Sequence, residues 1–394
     1  MSEQDSPNTK QTTPSPPEAD NSKPAGTERL VSLDTLRGFD MFWIMGGKSI
    51  IAALAAFTSW EWLHWVLENQ MEHPEWNGFA LWDLIFPLFL FIAGVSTPIA
   101  IANRLVKGDS RAQIYRHIIQ RGLVLVALGV IYNGFLKFNW ADADKWENVR
   151  YCSVLGRIGL AYMVAALIVM NTQWRARIYW IIGILVGYWL ALKFVPIPGF
   201  GAGDLNPGHT LTDYIDQQLM PGKLYQGDRD PEGLFATIPA VATALIGAAT
   251  GSLLQCRTLS GMRKTGIMAA AGVGCLILAA IWGLSFPINK NLWSSSFVLH
   301  CAGLSLLLLS LFHLVIDVWK IRWWTFPFIV IGANSILIYM APKFIDFYRF
   351  THGLLDGPAS LLGDFGPVLI ALGLVLIKWL MLLLCYRKRI FLKV

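Results

Sequence analysis

The sequence has 394 residues, 55% of them hydrophobic, 13% aromatic and only 15% charged, with mean hydropathy +0.49 and formal net charge +6. Soluble domains carry about 25% charged residues, so an ordinary soluble domain is excluded. The basic residues sit in short links between apolar runs rather than in a basic domain, which excludes nucleic acid as the partner and points to a membrane.

Residues 1–28 are polar, rich in Ser, Thr, Pro and Asn, and have no apolar run. They are expected to form a disordered cytoplasmic tail rather than a signal peptide. Residues 29–394 then make one transmembrane domain. A span needs roughly 20 mostly apolar residues, and about ten candidates meet that test. They lie near 39–58, 79–102, 116–136, 154–171, 178–195, 234–255, 266–286, 295–316, 324–341 and 364–386. The expected fold class is all-α: a polytopic bundle of about ten transmembrane helices. The 17 Trp suit interfacial belts.

The links alternate in charge. The first carries Glu61, Glu68, Glu72 and Glu75 without Lys or Arg; the second carries Arg104, Lys107, Arg111 and Arg116. Arg175 and Arg177, then Arg257, Arg263 and Lys264, then Lys320 and Arg322, then Arg387, Lys388 and Arg389 fall on the same side as the second. The positive-inside rule puts that side, and both termini, in the cytoplasm of a bacterial inner membrane. The longest connection, 196–233, falls outside; it opens with Pro and Gly and closes with Asp228-Arg229-Asp230-Pro231-Glu232-Gly233.

Polar groups gather toward the outer side. His73-Pro74-Glu75-Trp76-Asn77-Gly78 leads into Asp83-Leu84-Ile85-Phe86-Pro87. His73 precedes the second span, and Asp83 lies about a turn inside it, where a carboxylate is costly. Pro87 has no amide hydrogen for the carbonyl of Asp83, which leaves a polar notch. An imidazole titrates close to neutrality and suits general base work, with a carboxylate to fix its tautomer. From the residues alone, the favoured reading is that His73 is an interfacial histidine among tryptophans and Asp83 a structural ion-pair partner.

Arg157 in Gly156-Arg157-Ile158-Gly159 pairs with Asp83, holds an anionic ligand group, or makes a structural ion pair elsewhere. Asn289 and Lys290 in Asn289-Lys290-Asn291-Leu292-Trp293-Ser294 bind sugar hydroxyls or cap a helix. Asn334 and Ser335 are a further polar pair in the ninth span. The five cysteines form no CxxC pair, no histidine pair has ligand spacing, and no P-loop or GxGxxG appears, so neither a disulfide framework, a metal site nor nucleotide hydrolysis is expected.

The order of these segments resembles the heparan-α-glucosaminide N-acetyltransferase family of membrane acyltransferases, including its bacterial members. The resemblance runs from Arg29 to Val394. It starts at Arg29-Leu30-Val31-Ser32-Leu33-Asp34-Thr35-Leu36-Arg37-Gly38 and continues through His73, Trp76-Asn77-Gly78, Asp83-Leu84 and Phe86-Pro87. Val154-Leu155-Gly156-Arg157-Ile158-Gly159, Asp230-Pro231-Glu232-Gly233, Asn289-Lys290-Asn291-Leu292-Trp293-Ser294, Asn334-Ser335-Ile336-Leu337 and Tyr386-Arg387-Lys388 follow. The resemblance implies acetyl transfer from cytosolic acetyl-CoA to a terminal glucosamine on the opposite face, with His73 as the active-site base or acyl carrier and Asp83 orienting it. Asn77, Asn289 and Lys290 are candidate donors to the thioester oxygen. Coenzyme A is polyanionic, so Arg37, Arg104, Arg116 and Arg121 are the candidate inner-face bases.

Two departures bear on the acceptor. The first span reads Phe42-Trp43-Ile44-Met45-Gly46-Gly47-Lys48 where the family commonly carries an Asn ahead of its glycines, and the large luminal N-terminal domain of the animal enzymes has no counterpart in this sequence. The acceptor is then an amino sugar or envelope glycan, acylated on nitrogen or oxygen. The expected partners are the acyl donor, that acceptor and membrane lipid, with a homodimer left open. A sugar or lipid-linked glycan transporter and a non-catalytic membrane scaffold are the competing readings.

Overall fold

The computed structural model describes residues 30–137 and 145–392. The tail expected over 1–28 lies outside them. In chain order the principal helices are α1 Val31–Phe57, α2 Glu61–Gln70, α3 Leu81–Val106, α4 Arg111–Tyr132, α5 Val154–Asn171, α6 Trp174–Phe194, α7 Leu211–Leu219 and α8 Thr237–Gln255. They continue with α9 Gly261–Gly283, α10 Ser295–Val318, α11 Phe326–Ala333, α12 Ser335–Lys343, α13 Phe347–Ser360 and α14 Gly363–Arg387. The one sheet among the described residues is a hairpin, β1 Pro196–Ile197 against β2 Gly201–Ala202.

Nine of these helices are long and apolar enough to cross a membrane, and α11 with α12, bent by 73°, brings the number to ten where the pair counts as one broken span rather than a re-entrant loop. The protein is a multi-pass helical membrane bundle. Its outward faces carry the apolar side chains that a soluble protein would bury: Val273, Ile277, Leu278 and Ile281 all protrude from α9.

The helix starts follow capping chemistry. Ser110 and Gln113 make a reciprocal box at the head of α4, and Ser153, Ser260 and Ser294 cap α5, α9 and α10. Helix association in lipid depends on close backbone approach, and small residues supply it here. A Cβ on Gly94 of α3 would collide with the carbonyl of Ala244 on α8; on Gly247 or Gly251 of α8 it would collide with the carbonyls of Phe91 or Val95. The α3–α8 contact, a spine of close backbone approach, runs over three glycines.

Three departures from the expected spans have physical causes. The first helix begins at Val31, eight residues before the expected 39. Two of its charges are accommodated by contacts inside the bundle, Arg37 reaching Asp34 at 3.3 Å and Ser96 Oγ at 3.0 Å, while the buried Asp40 keeps Oδ2 without a partner. That helix also carries a π-helical turn at Trp43–Gly47, which frees a backbone carbonyl; buried Lys378 of α14 donates to Met45 O at 2.6 Å. The ninth span is broken at Asn334, whose amide donates to Ile390 O at 3.0 Å and whose side-chain oxygen accepts from Leu392 N at 3.1 Å. The segment after α14 is thereby tied back to the bend. The long connection 196–233 is ordered by the hairpin and α7, and α13 is an additional helix between the last two spans.

Candidate functional site

His73 lies in the loop between α2 and α3, and Lys290 in the loop between α9 and α10. Besides the contact of Lys290 with His73, two hydrogen bonds join these loops: Gly78 N donates to Ile288 O at 2.8 Å, and Asn289 Nδ2 to Asn77 Oδ1 at 3.1 Å. Asn289 is fully buried; its side-chain oxygen accepts from Leu292 N and its own N–H donates to Ser294 Oγ. Trp76 Nε1 donates to Leu205 O at 2.8 Å, bringing the long connection over the same loop.

These links place a charged cluster at the head of α3. His73 Nδ1 is 2.6 Å from Asp83 Oδ1, and Asp83 Oδ2 accepts from Ala80 N at 3.1 Å. The Asp83 carboxylate is fully buried while His73 is about half exposed, at 0% and 48%. A buried carboxylate against Nδ1 assigns the proton there and leaves the Nε2 lone pair as the basic site. Lys290 Nζ is 3.0 Å from Nε2 and 3.4 Å from Asp83 Oδ1. Burial lowers the Lys290 pKa below that of a free amine, with the charges of Asp83 and Glu232 pulling the other way. The notch expected from Pro87 takes a different form. Residues Leu81–Leu84 wind as a 3-10 turn and the α-helix starts at Ile85, so Pro87 sits in its first turn, where a missing N–H costs nothing.

A second charged cluster faces the first. Asp230 is buried and receives Arg150 through two nitrogens, at 2.8 and 2.7 Å; Arg150 Nη2 also contacts Glu232. Asp230 Oδ1 accepts from Glu232 N at 2.9 Å, and Asp230 Oδ2 from Tyr225 N at 3.0 Å. Behind it, Asp216 of α7 accepts from Leu234 N and Phe235 N. Burial raises the Asp216 carboxyl to about 6, against those amides and the charge of Arg157. Gly233 is obligatory, since a Cβ there would collide with the Asp216 carboxylate.

Three cavities run through the bundle in series. The outermost, about 550 Å³, is lined by both clusters together with Trp76, Tyr132, Tyr225, Asn291 and Lys343. A narrow one of about 170 Å³ shares His73, Val154, Glu232 and Lys290 with it and continues past Phe86 and Phe89. A third, about 430 Å³, shares Phe89, Ile158, Ser335 and Ile336 with the narrow one and opens among Arg37, Ser96, Arg104, His117 and Arg121. Helix α3 contributes to all three. At 1.5 Å per residue, Asp83 to Phe89 spans about 9 Å and Asp83 to Arg104 about 32 Å, the thickness of a bilayer core.

The residues singled out in the sequence divide accordingly. His73, Asp83 and Lys290 come together. Arg37, Arg104 and Arg121 meet in the third cavity; Arg104 contacts Asp109 at 2.9 Å, and Arg121 lies over the Tyr162 ring with Nε unpartnered. Arg116 points outward from α4 and lines none of the three. Asn77 and Asn289 bond to each other and line none of them either, so their observed role is to fix the loops. Asn334 is occupied by the segment after α14. Arg157 does not pair with Asp83. It lies over the Trp293 ring at 4.9 Å and donates to Gly233 O at 3.2 Å, with Nε and Nη1 unpartnered. Sequence reading missed Arg150, Glu232, His117 and Tyr339 as lining residues. The carboxylates of Asp230-Pro231-Glu232-Gly233 were the available signal. No group of three or more potential metal ligands occurs among the described residues.

Residues 29–210 match a family model described as a domain of unknown function, DUF5009. The chain is 28% identical over 429 residues to heparan-alpha-glucosaminide N-acetyltransferase of Homo sapiens, covering 93% of this chain and 60% of that protein. It is 27% identical over 387 residues to the protein of the same name in Mus musculus, covering 82% and 55%. The chain is a homologue of these proteins and spans less than two thirds of the length of either.

Proposed function

We propose, from this kinship with the heparan-alpha-glucosaminide N-acetyltransferases, that the chain is a transmembrane acetyltransferase. It takes an acetyl group from acetyl-CoA at the Arg104 end and delivers it to an amino sugar or glycan at the His73 end. With the positive-inside rule, the Arg104 end and both termini face the cytoplasm of a bacterial inner membrane. The observation that carries the reading is the series of cavities. A basic chamber suits the phosphates of coenzyme A, an apolar neck suits the uncharged pantetheine arm, and the neck ends at an imidazole held by a buried carboxylate.

Arg37, Arg104 and Arg121 hold the phosphates, and the unpartnered Arg121 Nε supplies a donor already desolvated. The thioester end reaches the narrow cavity past Phe89. There His73 Nε2 takes one proton from the acceptor ammonium. The neutral nitrogen attacks the thioester carbon, and Lys290 Nζ donates to the oxygen as it gains charge. The C–N bond forms, the C–S bond breaks, and the sulfur leaves with the electron pair. The second nitrogen proton neutralises the thiolate. One ammonium and one thioester thus give one amide, one thiol and one proton, which leaves from His73. Asp83 stabilises the imidazolium without being protonated. The reaction needs no metal.

The test uses purified protein, [acetyl-14C]acetyl-CoA and D-glucosamine. His73→Ala is expected to abolish labelled product while retaining the thermal shift induced by acetyl-CoA. An Arg104→Gln, Arg121→Gln double variant is expected to raise the donor KM about tenfold or more, the loss of two charge-assisted contacts. Normal turnover by His73→Ala refutes the assignment. The same series of cavities also fits a sugar transporter; uptake of labelled sugar into vesicles without donor would favour that reading.

A further inference from the structure

We propose that Glu232 is the counter-ion that selects the acceptor as an ammonium, making the protein specific for amines over hydroxyls. The inference rests on the acyltransferase reading above and names the group that decides between N- and O-acylation.

Glu232 lines both the outer and the narrow cavity, alongside His73 and Lys290. Among the described residues, it is the sole carboxylate lining the narrow one. Asp83 is unsuited to bind an incoming cation. Its carboxylate is fully buried and already taken by His73, the Ala80 amide and Lys290. Glu232 keeps 13% of its side chain exposed to the cavity.

Arg150 Nη2 is also paired with Glu232, but it shares its single positive charge between two carboxylates. The guanidinium already has a complete partner in Asp230, which is fully buried and bidentate. Arg150, Asp230 and Glu232 together carry one excess negative charge, and Glu232 is the member that faces the ligand space. The loop holding it is tied down at successive residues: Asp230 accepts from the Glu232 amide through its side chain and from the Gly233 amide through its carbonyl, Asp216 accepts from the Leu234 and Phe235 amides, and Gly233 O accepts from Arg157. A carboxylate held this firmly is pre-organised, so binding a cation orders little.

Across the cavity, Lys290 lies within 3.0–3.4 Å of His73 and Asp83. Its ammonium repels a second cation approaching Nε2. Asp83 is shared between His73 and Lys290, so an acceptor ammonium near the base draws on the further negative charge that Glu232 brings to the cavity. A hydroxyl can donate a hydrogen bond to that carboxylate but brings no positive charge, so the excess negative charge of the cluster stays uncompensated. Specificity of this kind arises when a buried polar group goes unpaired with the wrong ligand.

The experiment compares wild type with Glu232→Gln, which keeps size and hydrogen bonding and removes charge. D-glucosamine, N-acetyl-D-glucosamine and D-glucose are titrated by calorimetry, and the acetylation rate is measured against D-glucosamine. The variant is expected to bind D-glucosamine and raise its KM about tenfold or more, a usual loss for a charged partner, with affinities for acetyl-CoA and the two uncharged sugars within twofold of wild type. Wild type is expected to prefer D-glucosamine to D-glucose by a similar factor. Unchanged D-glucosamine binding in Glu232→Gln, or equal losses for all three sugars, overturns the inference. Should that variant fail to fold, equal affinity of wild type for D-glucosamine and D-glucose overturns it as well. A wild type that acetylates D-glucosamine while Glu232→Gln matches it sinks this inference alone. A wild type that neither acetylates nor responds to acetyl-CoA sinks the underlying reading, and the calorimetric comparison still decides the role of Glu232.

Discussion

Replacing Asp83 by Asn tests the acid–base cluster with the least change of shape. The carboxylate offers two oxygens, one to His73 Nδ1 at 2.6 Å and one to Ala80 N at 3.1 Å. Asn has one. If its oxygen keeps the Ala80 amide, its NH₂ faces Nδ1 and requires a lone pair there. The imidazole proton then moves to Nε2, and the base no longer points at the acceptor. If its oxygen keeps His73, the NH₂ faces the Ala80 N–H, two buried donors head to head, at a cost of about 1–3 kcal/mol. The wrong tautomer is therefore favoured about 5- to 150-fold at 1.4 kcal/mol per decade. Losing the charge opposite the imidazolium adds to this, and the comparable change in a serine protease triad lowers kcat about 10⁴-fold. The expected result for Asp83→Asn is a fall in kcat of about 10² to 10⁴-fold. Its affinity for acetyl-CoA should not change, because the basic chamber lies up to about 30 Å away along α3. The assay is acetylation of D-glucosamine by detergent-purified protein, with His73→Ala as the floor. A kcat within tenfold of wild type would refute the reasoning.

Asp216 gives a pH-dependent prediction. Its carboxyl is raised to about 6 in the folded protein, against about 3.9 for an unfolded Asp. The folded state then holds the proton more tightly than the unfolded one. Stability from this group is fully present below the unfolded pKa, is lost as pH rises from about 4 to 6, and is level above that, a change of up to about 3 kcal/mol. Thermal unfolding at pH 4.5 and pH 7 should show the difference shrink in Asp216→Asn, which keeps the acceptor for Leu234 N and Phe235 N. Gly247→Val tests the α3–α8 spine. Its side chain has no room against Phe91 O, so thermal stability should drop by about 1–3 kcal/mol or more. Activity should fall with it, as α3 carries Asp83; wild-type stability would show that the helices are not held this close.

The spans were legible because roughly 20 apolar residues in a row have few other uses. The early start of α1 was hidden because Asp34 and Arg37 read as polar in sequence, and only their contacts with each other and Ser96 show how they are tolerated inside. The bend at Asn334 left no apolar signature, and α13 was missed because its amphipathic sequence, from Phe347 to Ser360, falls short of a span. At the site, the pairing of His73 with Asp83 was readable from a histidine beside a costly carboxylate. Lys290 was readable as polar but not as a neighbour of that imidazole, which depends on contact between two loops more than 200 residues apart. The asparagines misled for the same reason: a buried Asn fixing a loop and an exposed one binding a sugar have the same letter. Glu232 and Arg150 gain meaning only from the cavities, which no local pattern encodes.

The constriction at Phe89, Ile158, Ser335 and Ile336, apolar but for one hydroxyl, has an electrical consequence. Two polar chambers that approach each other through a thin partition concentrate the transmembrane voltage across that partition instead of spreading it over the whole bilayer. A charge crossing there works against nearly the full potential, about 2.3 kcal/mol per elementary charge at 100 mV. In the proposed reaction, phosphates halted among Arg37, Arg104 and Arg121 would not cross it, and a neutral thioester would cross without electrical work. Acyl delivery on that route would be insensitive to voltage, and the same partition would resist leakage of ions between the two compartments.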